Sequence, residues 1–331
     1  MDKYNIVLIK NTGKAYNITK FSSGLTWSDD LETLGTKLNF AVARNADDKY
    51  LQNYDIVETG DKVLLYNDTE EVFRGIITDT DLSRYGKAVT CFDYAFYLNQ
   101  SKTVKQFYKI QASKAIIELC KAFSVEVGKI DAMNTLITKI YKDKTIAEII
   151  KDIIEQATKE TGIKYRLEMR AGKIYIVKYI EISIDPVFYT SESESFKILN
   201  AIGEITKSES IQEMKNSILV TSDDEKSSSI KSTSKDVDNI EKYGLLQEVI
   251  TVDKKNESQA KNIANNKLKE LKKKKKNITL SLLGSDELRA GRILTINNKL
   301  FNLSGKYLIK SSSHTVNNSI HNCSVTVEKA V

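Results

Sequence analysis

The residues best placed to do chemistry in this chain are its two histidines, its three cysteines and one dense run of lysines. His314 and His321 are the only imidazoles, with Thr-Val-Asn-Asn-Ser-Ile between them. A metal-binding pair on a helix needs three or four residues of separation and further acidic or thiol ligands. The polar turn at Asn317-Asn318 instead places the two rings on facing strands of a hairpin, adjacent across the ladder. Cys323 lies close enough in sequence to join a His/His/Cys cluster. The expected reading is nevertheless a terminal hairpin carrying polar residues, with no metal. Cys91 and Cys120 fall on apolar faces without a histidine in sequence reach, which fits buried thiols better than nucleophiles. The three cysteines are far apart and form no CxxC, against a zinc site or disulfide framework and in keeping with a reducing cytosol. There is no G-x-S-x-G elbow, no P-loop and no GxGxxG. A carboxylate pair has no sequence signature, so the 44 acidic residues mark none. No catalytic residue and no cofactor are expected.

The charge is local. Residues 251–276 hold ten Lys against Asp253, Glu257 and Glu270, a net of 10 − 3 = +7. The chain as a whole is +6, so the remainder is 6 − 7 = −1. Lys272, Lys273, Lys274, Lys275 and Lys276 form the core of this run. Only seven cations are Arg, the residue suited to bidentate recognition of bases and phosphates. No Phe, Tyr or Trp lies between residues 244 and 300 to stack on bases. The run reads as a helix C-terminus, where cations oppose the helix dipole, or as a face for an acidic protein partner. It does not read as a sequence-specific nucleic-acid or membrane site.

The elements that must carry these residues divide the chain into three. A length of 331 residues calls for two or three domains, and 41% hydrophobic with 28% charged residues is ordinary for a soluble protein. No stretch approaches a membrane span, and the first ten residues do not read as a secretory leader. Residues 1–100 alternate as short strands with turn signals at Asn11–Lys14, Asn67-Asp68 and Tyr85-Gly86, which predicts a small barrel or sandwich. Residues 101–185 switch to helical spacing: Ile110, Ala115, Ile116 and Leu119 in one helix, and Ile146, Ile149, Ile150, Ile153 and Ala157 in another. Thr145 and Glu148 make a capping box, Thr161-Gly162 a stop, and Lys164–Met169 with Lys173–Lys178 a hairpin. Residues 186–331 return to strands. Within them, Ser-rich residues 222–240 read as a mobile loop, to be ordered on assembly, and 256–273 as a basic helix.

One internal echo stands out. Gly60 opens Gly60-Asp61-Lys62-Val63-Leu64-Leu65, and Gly75 follows within Phe73-Arg74-Gly75-Ile76. Gly291 opens Gly291-Arg292-Ile293-Leu294, and Gly305 follows within Gly305-Lys306-Tyr307-Leu308-Ile309. Each is a turn glycine feeding an apolar strand, a polar loop and a strand broken by a second glycine. A glycine inside a strand marks a bulge or a close backbone approach. Two copies predict two related β-barrels. The expected fold is α+β and β-rich: two related small β-barrel domains flanking a helix–helix–hairpin α+β unit.

These motifs resemble a known family. The alanine-bearing helix (Ala260, Ala264, Leu268), Gly284, Leu288, Ala290-Gly291, Gly305-Lys306-Tyr307-Leu308-Ile309 and His314 resemble the phage late control protein D family. They resemble more closely the XkdQ/YqbQ-like tail proteins of contractile phages and phage-tail-like bacteriocins. Ile240–Gln247, Gly60–Val63, Phe73–Ile76 and Cys91-Phe92-Asp93-Tyr94 fit the same pattern, which spans residues 35 to 329. The resemblance implies a structural baseplate hub, a homotrimer whose six barrels adapt a sixfold tail tube to a threefold central tip. It implies tail tube, central tip or spike, baseplate wedge and LysM-type tail proteins as partners. It places the chain in a virion or bacteriocin particle assembled in the bacterial host cytoplasm. Gly60, Gly75, Gly291 and Gly305 carry over as strand-geometry positions, and Lys272–Lys276 as a contact face. A tail-associated cell-wall hydrolase is the alternative; peptidoglycan zymography separates the two.

Overall fold

The computed structural model describes residues 3–44, 56–178, 183–189, 195–200, 202–222, 229–252, 257–258, 260–298 and 302–330. The chain divides into two compact units, Met1–Ile205 with Thr279–Val331, and Thr206–Ile278.

The first unit opens with seven strands: β1 (Tyr4–Ile9), β2 (Ala15–Asn17), β3 (Ser22–Asp30), β4 (Thr36–Ala43), β5 (Lys62–Asn67), β6 (Glu70–Leu82) and β7 (Gly86–Asp93). Alternation sets their faces. In β4, Leu38, Phe40 and Val42 are buried while Lys37 and Ala43 are exposed. These side chains join Ile6, Leu8, Trp27, Val63, Leu65, Phe73, Ile77, Val89 and Cys91 in one core. The turns fall where the sequence places them. Gly13 closes the first hairpin at φ +84°, and Asp68 takes φ +51° between β5 and β6.

The α+β segment follows: α1 (Ala95–Gln100), β8 (Lys102–Gln111), α2 (Ala112–Ala122), β9 (Glu126–Ile130), β10 (Leu136–Thr145), α3 (Ile146–Thr161), β11 (Tyr165–Arg170) and β12 (Lys173–Lys178). Thr145 and Glu148 form the reciprocal capping box, and Gly162 ends α3 in the left-handed region at φ +71°. Ile146, Ile149, Ile150 and Ile153 are buried along one stripe of α3, each stabilising the fold by roughly 1.5–3 kcal/mol. The β11–β12 hairpin forms as expected, with Arg170 opposite Lys173 so that only Ala171 and Gly172 make the turn, and β9 adds to it in parallel. The spacing at Ile110 reads as helix, but α2 starts at Ala112; Ile110 lies in β8, which pairs with β10 as a two-stranded ribbon.

Next come β13 (Ser183–Ile184), β14 (Val187–Tyr189), β15 (Ser195–Lys197) and β16 (Glu204–Ser210). The second unit holds β17 (Ser217–Ser222), β18 (Ile230–Lys235), α4 (Val237–Tyr243), β19 (Gln247–Val252) and α5 (Ala260–Leu271). Its sheet runs β18–β17–β19, and Ile218 and Val220 pack with Ala260, Ala264 and Leu268 of α5. Two expectations are corrected. Residues 229–240 are not a loop, because the apolar strand β17 offers a ladder edge to β18 and Asp236 caps α4 by accepting from Asn239 N at 3.0 Å. Residues 223–228 of the same prediction lie outside the described residues. The basic helix is shorter than 256–273: Lys272–Lys274 lie beyond its end, and Lys275 and Lys276 open the next strand.

The chain returns to the first unit at Thr279, within β20 (Lys275–Leu283), and continues with β21 (Ile293–Asn298), β22 (Leu303–Asn317) and β23 (Ile320–Lys329). Here the internal repeat becomes visible as topology. The amino-terminal strands neighbour one another in the order β3–β4–β7–β6–β5, and the carboxy-terminal ones in the order β16–β20–β23–β22–β21. The two five-strand copies are joined where β22 also pairs with β3, from Val316↔Leu25 to Ser311↔Asp30. The fold is α+β and β-rich as expected, and no closed barrel forms among the described residues. The ladders of the described residues form one open succession, because β22 is long enough to serve its own copy and its neighbour. The three segments 1–100, 101–185 and 186–331 therefore do not coincide with the two compact units.

Candidate functional site

Each copy is organised by a glycine bracket. Gly60 N donates to Ile77 O at 2.8 Å, and Ile77 N donates to Asp61 O at 2.9 Å. Gly291 N donates to Ile309 O at 2.8 Å, and Ile309 N donates to Arg292 O at 2.9 Å. The residue after each bracketed isoleucine is bulged, Thr78 against β7 and Lys310 against β23. Gly60 and Gly291 share the left-handed region, at φ +91° and +81°. The second glycines are not equivalent. Gly75 stands two residues before its isoleucine, and a Cβ there would lie 2.1 Å from Phe92 O. Gly305 stands four residues before its own, at φ +112° with open space where a Cβ would go. The structure thus places Gly60 and Gly75 in one copy, and Gly291 and Gly305 at different ladder positions of the other.

The residue after each bracket glycine carries a buried charge, of opposite sign in the two copies. Asp61 accepts from Lys10 Nζ at 2.8 Å. Arg292 Nη1 lies 3.4 Å from Glu168 Oε2, and Glu168 also meets Arg166 and Arg170. Burial raises Glu168, against the pull of Arg170, and burial lowers Arg292. Arg166 Nη2 donates to Ala290 O at 2.7 Å and packs on Gly291, where a Cβ would sit 2.7 Å from its Nε.

The histidines occupy the seam between the copies. The β22–β23 turn is the two-residue loop Asn318-Ser319, both at positive φ, the geometry of a type I′ hairpin. His314 faces Trp27 across to β3 and Cys323 across to β23. Both rings are buried, and His314 Nδ1 lies 2.9 Å from His321 Nε2. His314 stacks on Trp27 with centroids 4.7 Å apart and 4° between planes. His314 Nε2 lies 2.9 Å from Leu288 O, which can only accept, so this nitrogen carries the proton. His314 Nδ1 therefore accepts from His321 Nε2–H. His321 Nδ1 in turn meets the Tyr4 hydroxyl at 2.8 Å, and that hydroxyl lies 2.9 Å from Asp286 Oδ1. Asn67 Nδ2 donates to Asp286 Oδ2 at 2.8 Å. A Cβ at Gly284 would lie 2.0 Å from the His321 ring, so this loop approaches only because the residue is glycine. On the other side Ser312 donates to Asp29, which also takes Ala290 N at 3.3 Å.

Chemically this seam is a hydrogen-bonded tie. Burial, then the neighbouring His321, pushes His314 down to about 3, so its ring stays neutral. The ring nitrogens of His314 point at His321 and Leu288, not at a common ligand point with Cys323, whose Sγ lies 3.7 Å from Nε2. Among the described residues no group of three or more His, Cys, Asp or Glu could hold a metal ion. Burial raises all three thiols, Cys120 to about 11. The sequence signalled the hairpin but not the tie. Tyr4 and Trp27 are roughly 300 positions from the histidines, and no local pattern reports such pairing.

The lysine run lies in the second unit with carboxylates of that unit. Lys272 pairs with Asp236 at 3.0 Å, Lys274 and Lys276 with Glu209 at 2.8 and 3.0 Å, and Lys275 with Glu213 at 3.0 Å. Lys274 and Lys276 hold Glu209 down at about 2. Lys273 has no ion pair among the described residues. The net +7 read along residues 251–276 is therefore partly answered by acids that are distant in sequence.

The YQBQ-like family model matches residues 25–328. Two proteins of Bacillus subtilis (strain 168) are each 25% identical and 83% covered on both sides, over 280 and 281 residues: the uncharacterized protein YqbQ and the XkdQ protein of the phage-like element PBSX. In fold the chain is similar to the 43 kDa tail protein of prophage MuSo2 from Shewanella oneidensis, with a TM-score of 0.67, 11% identity and 98% of each chain covered. The match over residues 25–328 takes in both five-strand copies, the α+β segment and the inserted second unit, and on it the chain belongs to the YQBQ-like family.

Proposed function

We propose that the chain is a structural subunit of a phage-tail baseplate hub, in a contractile phage or a tail-like bacteriocin particle. Three copies form a homotrimeric ring. Each contributes two five-strand copies, so the ring offers six similar lobes to a sixfold tail tube and threefold symmetry to a central tip. The observation that carries this reading is the repeat itself: the same strand order, glycine bracket and bulge, twice in one chain. The seam supports it mechanically, because a pseudo-sixfold face needs the two copies of a subunit held at a fixed angle. The role is adaptation between symmetries and not catalysis. Tube, tip, baseplate wedge and LysM-type tail proteins are its partners in the particle, which assembles in the host cytoplasm. The α+β segment 101–185 and the unit 206–278 are decorations on the repeated pair. Electron microscopy of the purified full chain tests this. A ring of three subunits with six lobes is expected, and a monomer at high micromolar concentration overturns it. Peptidoglycan zymography should show no clearing.

A further inference from the structure

The chain makes one joint between its two copies and leaves both halves of a second joint open. In the repeat, β3 corresponds to β16, β4 to β20, β7 to β23, β6 to β22 and β5 to β21. Main-chain bonds hold matching places in both copies: Arg44 N donates to Tyr85 O at 3.1 Å, and Gly284 N donates to His321 O at 2.7 Å. With the bulges at Thr78 and Lys310 aligned, residues 79–82 are the equivalents of residues 311–314.

In the carboxy-terminal copy this stretch carries ladders on both edges, to β23 and, across the seam, to β3. In the amino-terminal copy it carries one. Residues 79–82 pair with β7, but β5 leaves β6 at Ile76, so among the described residues their second edge is open. Leu82 shows the consequence. Its equivalent, His314, is fully buried and stacked on Trp27 of β3, whereas Leu82 is 57% exposed. At the far end of the strand order stands β16, the equivalent of β3. Among the described residues it has no strand on its outer side, and it is exposed along most of its length. An open edge is a template for another strand. These two edges are the complementary halves of a joint that the chain already makes once, and within one chain they are not paired with each other. A second copy supplies the missing half. Because the two surfaces differ, the contact is heterologous and can repeat around a ring.

Resting on the trimeric-hub reading, we infer that residues 79–82 of β6 in one subunit pair antiparallel with the outer edge of β16 in the next copy. This repeats between subunits the β22–β3 seam found within one, and Leu82 takes the buried place of His314. The backbone direction follows from the same equivalence. Lys310 O accepts from Leu31 N at 2.9 Å, and alternate residues of an antiparallel ladder point the same way, so Ser312 and His314 face β3. Thr80 and Leu82, their equivalents, face the open edge.

The test is amide hydrogen exchange and solution mass of the full chain. In a wild-type trimer, the amides of Thr80 and Leu82 and those on the outer edge of β16 should all exchange slowly. Thr80→Pro removes an N–H at an open edge, where proline is tolerated. Leu82→Lys charges a side chain that the single subunit leaves exposed. Each should give a monomer with an unchanged circular dichroism spectrum, in which position 82 and β16 lose protection together. A trimeric wild type with protection at only one of the two edges, or at neither, overturns this pairing and leaves the hub reading standing. So do folded variants that remain trimeric. A monomeric wild type overturns the hub reading and the pairing together.

Discussion

The two five-strand copies share a backbone plan and little else. Both open on a left-handed glycine, both bracket a buried isoleucine, and both bulge one residue later. Yet Asp61 with Lys10 stands in one where Arg292 with Glu168 stands in the other. Tyr307, two residues before Ile309, takes the position that Gly75 holds before Ile77. The loop between β3 and β4 is five residues, 31–35, whereas residues 211–274 separate the equivalent strands β16 and β20. The difference teaches what a repeat of this kind must preserve. The bracket uses main-chain N–H and C=O groups, so its glycine is constrained by φ while the side chains around it are free to change, even in sign.

Substitutions can break or sharpen that contrast. The largest effect is expected at Gly75. Gly75→Val drives a side chain into the Phe92 carbonyl, which is fixed in a ladder, and should cost about 4 kcal/mol or more in denaturant unfolding. Gly305→Ala meets open space but keeps a left-handed φ, so about 1–2 kcal/mol is expected. Equal costs at the two positions would contradict their inequivalence. Next is the charge after the bracket glycine. Arg292→Met removes one of three guanidiniums around the buried Glu168, with Arg166 and Arg170 remaining, and should cost about 1–3 kcal/mol. Asp61→Asn leaves Lys10 partly solvated and should cost about 1–3 kcal/mol, read from the same unfolding curves.

The pH response separates the seam from the amino-terminal copy. His314 has a folded value of about 3 against an ordinary 6.5. Between these the unfolded chain binds a proton that the folded one refuses, so its contribution to stability falls as pH drops through that window. Burial raises Asp93 to about 6 from 3.8, against backbone donors at Thr36 and Ala95. The folded chain holds that proton, so the stability it contributes is full below 3.8 and lost as pH rises through 6. The two slopes oppose each other, each at most about 1.4 kcal/mol per pH unit. Asp93→Asn should therefore steepen the acid loss of stability between about pH 4 and 6, measured as the shift in unfolding midpoint. The smallest effect belongs to the lysine run. Lys274→Ala and Lys276→Ala break exposed pairs with Glu209 and should leave the thermal midpoint unchanged.

Much of the fold was legible in the sequence because it is local. The capping box at Thr145 and Glu148, the Gly162 stop, the β11–β12 hairpin and the strand alternation of β4 depend on residues a few positions apart. The histidine hairpin was legible for the same reason. The ordering of 229–240 was not. Its serines and threonines describe a solvated segment, and only the apolar edge of β17 makes a strand of it. Nor was the company of Lys272–Lys276, since Glu209, Glu213 and Asp236 lie about 35 to 65 positions upstream.

The sequence by itself determined where the chain turns, which faces are apolar and that one strand–loop–strand element occurs twice. These follow from φ restrictions at glycine and from periodicity, which act within a few residues. Only the tertiary structure decided that the two copies share one sheet, that the second glycines differ in role and that the histidines tie the seam. Those outcomes rest on pairings such as Tyr4 with His321 and Trp27 with His314. Hydrogen bonds and ring stacking of that kind depend on proximity in space, and the order of residues along the chain does not record it.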